Sequence, residues 1–216
     1  MRIGVLALQG AFREHLATLA AIGVVGVEVR LPEDLVDVHG LILPGGESTT
    51  MRRLIRRWGL AGPIMDLAAS GAPIFGTCAG MIVLSKAIAG GEEPILPLLD
   101  VIVERNAFGR QLDSFETDLD VPILGKRPVH AVFIRAPIVE EVGPGVDVLA
   151  RLDDGRIVAV REGNVLATAF HPELAGETRF HHLVATMAAE HADPGEGSGR
   201  RRHPLRRAST SASAGA

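Results

Sequence analysis

The stretch Gly76-Thr77-Cys78-Ala79-Gly80 is the feature that most restricts what this chain can fold into. Before it stands a short apolar run, Ala72-Pro73-Ile74-Phe75, which reads as a buried strand, and after it Met81-Ile82-Val83-Leu84-Ser85-Lys86 reads as the opening turns of a helix. A small-x-nucleophile-x-small pattern at a strand-to-helix junction is a nucleophile elbow, here with sulfur in place of a serine oxygen. The glycines permit a sharp, strained turn that lifts the side chain out of the sheet. The helix N-terminus behind it favours thiolate over thiol. A lone cysteine is more commonly a small, inert, buried hydrophobe. The catalytic reading of Cys78 therefore requires a base, an orienting group and an oxyanion site elsewhere in the chain.

The surrounding pattern is one of alternating strands and helices. Residues 2–8 form a compact apolar run suited to a central parallel strand. A helix is predicted over 11–21, with Phe12, Leu16, Leu19 and Ala20 on one face, followed by strands at 24–29 and 41–43. Helical patterns follow near 48–57 and 63–70, ahead of the strand at 72–75. The second half is richer in short strands: 101–105, 114–119, 129–134, 146–152, 156–161 and 165–170, with Asp153-Asp154-Gly155 as a hairpin turn. A last helix is predicted from about Gly176 to Glu190. The fold class is therefore α/β, a mostly parallel central sheet with helices on both faces and a mixed or antiparallel strand extension.

Two further segments supply chemistry. The strand over 165–170 ends at His171-Pro172-Glu173. Sites in open α/β sheets form beyond the carboxyl ends of the strands, so a histidine there can meet the elbow. Its neighbouring carboxylate can accept a hydrogen bond from the other ring nitrogen and support the imidazolium. His181 and His182 read as partly exposed positions of the last helix, and His15 and His39 as residues of a helix and a turn without such a setting. The other segment is Leu43-Pro44-Gly45-Gly46-Glu47-Ser48-Thr49-Thr50, a strand end running through a diglycine into a helix start. Bare amides there can bind an oxyanion together with the N–H of Ala79. The same turn could cradle a phosphate, but no GxxxxGK[ST] pattern is present and Glu47 would repel one. Ser48 and Thr49 are the candidate caps of the helix that follows.

Together Gly45-Gly46-Glu47-Ser48-Thr49, Gly76-Thr77-Cys78-Ala79-Gly80 and Phe170-His171-Pro172-Glu173 resemble the class I, triad-type glutamine amidotransferases. Within them, the segments Val5 to His15, Glu104 to Gln111 and Phe133 to Pro137 resemble the glutaminase-subunit family of pyridoxal 5′-phosphate synthases, over about residues 1–190. The resemblance implies a flavodoxin-like sheet and a single amidotransferase domain over 1–191. It implies that Cys78 is the nucleophile, His171 the base and Glu173 its orienting group. It assigns Gly46, Glu47, Ser48, Arg105, Ile134 and Arg135 to glutamine binding and Gly46 and Ala79 to the oxyanion hole. An arginine suits the substrate α-carboxylate, and Glu47 could receive the α-ammonium. The implied activity is hydrolysis of L-glutamine to L-glutamate and ammonia. The implied partner is a synthase subunit that uses the ammonia to make pyridoxal 5′-phosphate. Gln9 and Gly10, just after the first strand, are candidates for coupling partner docking to the oxyanion hole, or else simply open the helix. No cofactor is assigned to this chain, since the product need not bind here.

Composition narrows the setting. At 216 residues and 47% hydrophobic content the chain can bury a sizeable core. A single cysteine excludes an internal disulfide framework and fits a reducing compartment, so a cytoplasmic location is expected. No Cys/His cluster has metal-ligand spacing, and no apolar run approaches the ~20 residues of a membrane span. The net charge of −4 gives little support for nucleic-acid binding. Residues 192–216 are expected to form a disordered basic tail, with five arginines (Arg200, Arg201, Arg202, Arg206 and Arg207) against Asp193 and Glu196. It is either a solvated appendage or an electrostatic contact to an acidic partner. Two other functions stay open from the residues alone: a cysteine peptidase or deglycase-like hydrolase on the same sheet, and a regulatory module with a vestigial triad.

Overall fold

The computed structural model describes residues 1–105, 107–108 and 114–193. The expected tail thus lies outside the described residues from position 194 onward.

The chain runs through β1 (Arg2–Leu6), α1 (Phe12–Ala21), β2 (Val25–Val29), a 3₁₀ turn (Pro32–Leu35), β3 (Leu41–Leu43), α2 (Ser48–Arg57), α3 (Ala61–Ala69), β4 (Ile74–Thr77), α4 (Ala79–Leu84) and β5 (Ser85–Ile88). Then come β6 (Leu99–Glu104), β7 (Ser114–Leu119), a second 3₁₀ turn (Pro122–Leu124), β8 (Val129–Ile134), β9 (Ile138–Val142), β10 (Asp147–Arg151), β11 (Ile157–Glu162), β12 (Val165–Thr168) and α5 (Arg179–Ala192).

The principal sheet is ordered β2-β1-β3-β4-β12-β11-β9-β6-β5, with β10 on β11. Its first five strands are parallel. That is the doubly wound order in which a crevice opens at the carboxyl ends where the winding reverses. The reason lies in composition: β1, β3, β4 and β12 are built mainly from Val, Ile, Leu, Phe and small residues, and the interior positions of all four are fully buried. Strands covered on both faces read as continuous apolar runs. Beyond β12 the pairing becomes antiparallel through β11, β9 and β6, and β5 lies parallel to β6. Strands β7 and β8 form a separate antiparallel ladder. The backbone N–H of His171 donates to the carbonyl of Val132 at 2.9 Å, which ties β8 to the carboxyl end of β12.

The expected α/β class is thus the observed one, and the 153–155 turn does join two antiparallel strands. Two strands, β5 and β9, carried no sequence signal. The predicted helix after the elbow is a correction: α4 stops at Leu84, and Ser85 and Lys86 belong to β5. All six residues of α4 are buried, so no amphipathic stripe extends it. At its end the Ser85 hydroxyl donates to the Ile82 carbonyl at 2.8 Å, a local bond that competes with further helix. Helix α5 in turn continues to Ala192, past the predicted end at Glu190.

The α4 start is wedged against β3. A Cβ added at Gly80 would overlap the Leu43 carbonyl oxygen and crowd the Leu43 side chain. Helix propensity alone would reward alanine there by about 1 kcal/mol. Overpacking against rigid backbone costs roughly 1–3 kcal/mol, occasionally more, and the partner here cannot rotate away. We therefore expect the overlap to outweigh the propensity gain and Gly80→Ala to lower the unfolding free energy, by up to roughly 2 kcal/mol net, in urea titration; greater stability would contradict this packing.

Candidate active site

Six strand ends converge on one cavity of about 270 Å³. Gly10 and Ala11 reach it from β1, and Gly45, Gly46, Glu47 and Ser48 from β3. Cys78, Ala79 and Ile82 line it from the elbow, and His171 from the end of β12. Arg105 follows β6, and Ile134 and Arg135 close the cavity from the end of β8. The parallel register β3–β4–β12 makes this convergence unavoidable, because strands running the same way end at the same edge.

Cys78 sits at φ 49°, ψ −103°, in a region that non-glycine residues avoid. Its N–H is held by the Thr168 carbonyl at 2.8 Å, so β12 helps to fix the strained turn. The sulfur lies 3.8 Å from the Ile134 carbonyl oxygen and lines the pocket together with the His171 ring, whose pKa it helps to raise. On the other side of the ring, His171 Nδ1 donates to Glu173 Oε1 at 2.7 Å, and the Glu173 side chain is fully buried. The ring packs directly on Gly45, where any Cβ would overlap it. Sulfur and imidazole therefore share one pocket wall, with the carboxylate bonded behind the imidazole.

The electrostatics of that line are specific. Burial by itself disfavours the imidazolium of His171. The hydrogen bonds to Cys78 and Glu173, with the charges behind them, outweigh it and push His171 up to about 10. At neutral pH the ring is cationic, and it lines the same pocket wall as Cys78. Helix α4 has only six residues. Its dipole is thus a weaker source of positive charge than expected from the sequence, and His171 supplies more of it.

The glycine loop is also built differently from expectation. Glu47, not Ser48 or Thr49, caps α2: its two carboxylate oxygens accept from Thr49 N at 3.0 Å and Thr50 N at 2.7 Å. Burial opposes ionisation, but bonds from Thr50 and Thr49 together outweigh it and bring Glu47 down to about 2. Arg105 lies 3.6 Å from Glu47 and 2.6 Å from Glu92, and Glu92 is held in turn by Arg52. A fixed cation and a fixed anion thus stand side by side on the pocket rim. Gln9 lies behind the loop, where its side-chain oxygen accepts from Glu47 N at 3.0 Å. Gly46, at φ 156°, presses on the Gln9 amide so closely that a Cβ would collide with it.

Sequence reasoning missed part of the surroundings. His181, expected to be partly exposed, is fully buried, and so is His15. The signal was present for His15: it lies on the same face as Phe12 and Leu19, at helical spacing on the buried stripe of α1.

A model of the SNO glutamine amidotransferase family matches residues 5–190. The chain belongs to this family. Among similar relatives is a protein of Herpetosiphon aurantiacus named pyridoxal 5′-phosphate synthase subunit PdxT, 61% identical over 186 residues, or 85% of this chain and 98% of that one. A solved structure described as a glutamine amidotransferase is 50% identical and superposes with a TM-score of 0.82, covering 87% of this chain and 98% of that chain. A solved structure of PurLQS from Thermotoga maritima shares the fold at 22% identity, with a TM-score of 0.65 over 86% of this chain and 98% of that chain. The span matched by the family contains every residue of the pocket just described.

The Glu173 bond has a measurable consequence. His171 is raised above its ordinary value of 6.5, so its contribution to stability is fully present below that pH and is lost as pH rises through about 10. Glu173→Gln removes the anion. We expect the His171 titration, followed by NMR, to move down from about 10 toward 6.5 and the alkaline loss of stability to start at lower pH. An unmoved titration would show that Glu173 does not support the imidazolium.

Proposed function

We propose that this chain hydrolyses L-glutamine to L-glutamate and ammonia through Cys78, His171 and Glu173, and delivers the ammonia to the synthase subunit of a pyridoxal 5′-phosphate synthase. The observation that carries this reading is the strained Cys78 facing a His171 that is bonded to a buried Glu173. Family membership and the naming of the relatives support it.

The steps follow from the charges. His171 already holds the proton, so the sulfur attacks the glutamine side-chain carbonyl carbon without a prior transfer. The N–H groups of Gly46 and Ala79 receive the developing oxyanion. Collapse of the tetrahedral adduct breaks the C–N bond, and His171 gives its proton to the departing nitrogen, which leaves as ammonia. A γ-glutamyl thioester and a neutral His171 remain. The neutral ring takes a proton from water, the hydroxide adds to the thioester carbon, and the C–S bond breaks. The γ-carboxylic acid that leaves gives its proton to solvent or to the released ammonia and becomes glutamate, and Cys78 and His171 return to their starting charges. Glutamine and water have become glutamate and ammonia.

Substrate selection uses the rim. Arg105 and Arg135 offer cations to the α-carboxylate, Glu47 offers an anion to the α-ammonium, and Ser48 and Ile134 flank the side chain. Both Glu47 oxygens also hold α2, so this contact uses their remaining lone pairs. A zwitterion is thereby favoured over a peptide, whose α-nitrogen and α-carbonyl carry no charge. Among the described residues no helix is long and apolar enough to cross a membrane. We place the reaction in the cytoplasm, where a lone reduced cysteine persists. The amidotransferase unit is read as residues 1–191.

Cys78→Ala removes the covalent route, so ammonia release from glutamine, assayed with the synthase subunit present, should fall to background. Substantial turnover in that variant would refute the assignment. Gln9 and Gly10 are proposed to couple partner docking to the oxyanion loop, because Gln9 holds Glu47 N and packs on Gly46. Gln9→Ala should therefore lose most of the rate gain produced by adding the synthase subunit; a gain equal to wild type rules this coupling out.

A further inference from the structure

Behind the triad lies a second pair of imidazoles that the mechanism does not use. His15 Nδ1 and His181 Nε2 are 2.9 Å apart, and both rings are fully buried. His15 Nε2 points the other way, 3.2 Å from Thr77 Oγ1 and 3.6 Å from Glu173 Oε1. It therefore touches both the residue preceding the nucleophile and the carboxylate that supports His171. Phe75 packs edge-on against both rings.

The proton positions follow from two independent arguments. An N–H at His15 Nε2 faces the Glu173 oxygen favourably, whereas a lone pair there would face an anion. His181 Nδ1 has no hydrogen-bond partner among the described residues. An unpaired buried acceptor is tolerated more readily than an unpaired buried N–H, so His181 carries its proton on Nε2 and donates it to His15 Nδ1. Both arguments give the same chain: His181 donates to His15, and His15 donates toward Thr77 and Glu173.

We propose that His15 is a positioning residue for glutamine hydrolysis: as a neutral Nε2–H tautomer, fixed by His181, it bonds the Thr77 hydroxyl beside the elbow and keeps its N–H turned toward the Glu173 carboxylate that supports His171. Neutrality is part of the device. A cationic His15 would compete with His171 for the single anion. Burial, then the charges of His181 and His171, holds His15 well below 6.5, and burial, then His182, brings His181 to about 4 despite Glu177.

This inference rests on the triad reading, and its test separates the two. Nitrogen-15 NMR of the full chain should find His15 and His181 neutral between pH 6 and 9, each protonated at Nε2. A proton on His15 Nδ1, or titration of His15 in that range, overturns the proposal and needs no variant to fold. In glutaminase assays with the synthase subunit present, His15→Leu should lower kcat about 10- to 100-fold, as lost orienting contacts do elsewhere, with KM changed less than about 3-fold. His15→Gln, whose amide can present an N–H near the same place, should recover most of the lost kcat. Wild-type kcat in His15→Leu, or no recovery in a folded His15→Gln, sinks the positioning role while an inactive Cys78→Ala leaves the triad standing. Activity in Cys78→Ala instead sinks the triad reading itself.

Discussion

Strand β4 lies between β3 and β12, parallel to both, and every functional feature of the molecule depends on that placement. Parallel neighbours deliver their carboxyl ends to one edge. Three loops from distant parts of the chain therefore meet: the glycine turn after β3, the elbow after β4 and the histidine after β12. The same pairing holds the strained residue in place. Cys78 keeps an unfavourable backbone conformation because its N–H is tied to Thr168 and the turn behind it is packed against β3. Strain of this kind persists only where the surroundings over-determine it.

Charge in the pocket is organised by burial. Glu173 is an anion with no access to water, so its interaction with His171 is barely screened. That bond, together with the Cys78 side chain, raises His171 despite its own burial. Two other buried histidines nearby, His15 and His181, lack such a compensating anion at bonding distance and are driven the opposite way. Three imidazoles in one core thus hold two different charge states, and the difference traces to a single carboxylate. At the rim the logic is reversed: Glu47 stays ionised because helix amides bind it.

Much of this was legible in the chain. The glycine frame around Cys78 announced an elbow, and the apolar runs announced parallel strands, because both signals depend on local sterics and on burial patterns that a sequence carries directly. The strands β5 and β9 were not legible. Their pairing is set by β6 and β11 across the sheet; β5 has no strand-like composition, and the two adjacent glutamates of β9 break the apolar alternation that its Ile and Val residues begin. The cap of α2 was misplaced by one residue: the sequence offered Ser48, Thr49 and Glu47 as neighbours, and only the backbone path put the carboxylate within reach of two amides. His181 looked like a surface residue of a helix until α5 was seen to bury it against Phe75 and His15.

The sequence by itself determined the chemistry available: one sulfur in a glycine frame, a histidine and glutamate at a strand end, and a diglycine loop beside an acid. Those are properties of residue type and short spacing. Tertiary structure alone decided their alignment, the charge on His171, and the link from His15 to both Thr77 and Glu173. Alignment needs segments far apart in the chain to share one sheet edge. Protonation follows from desolvation and neighbouring charge, which exist only once the core has closed.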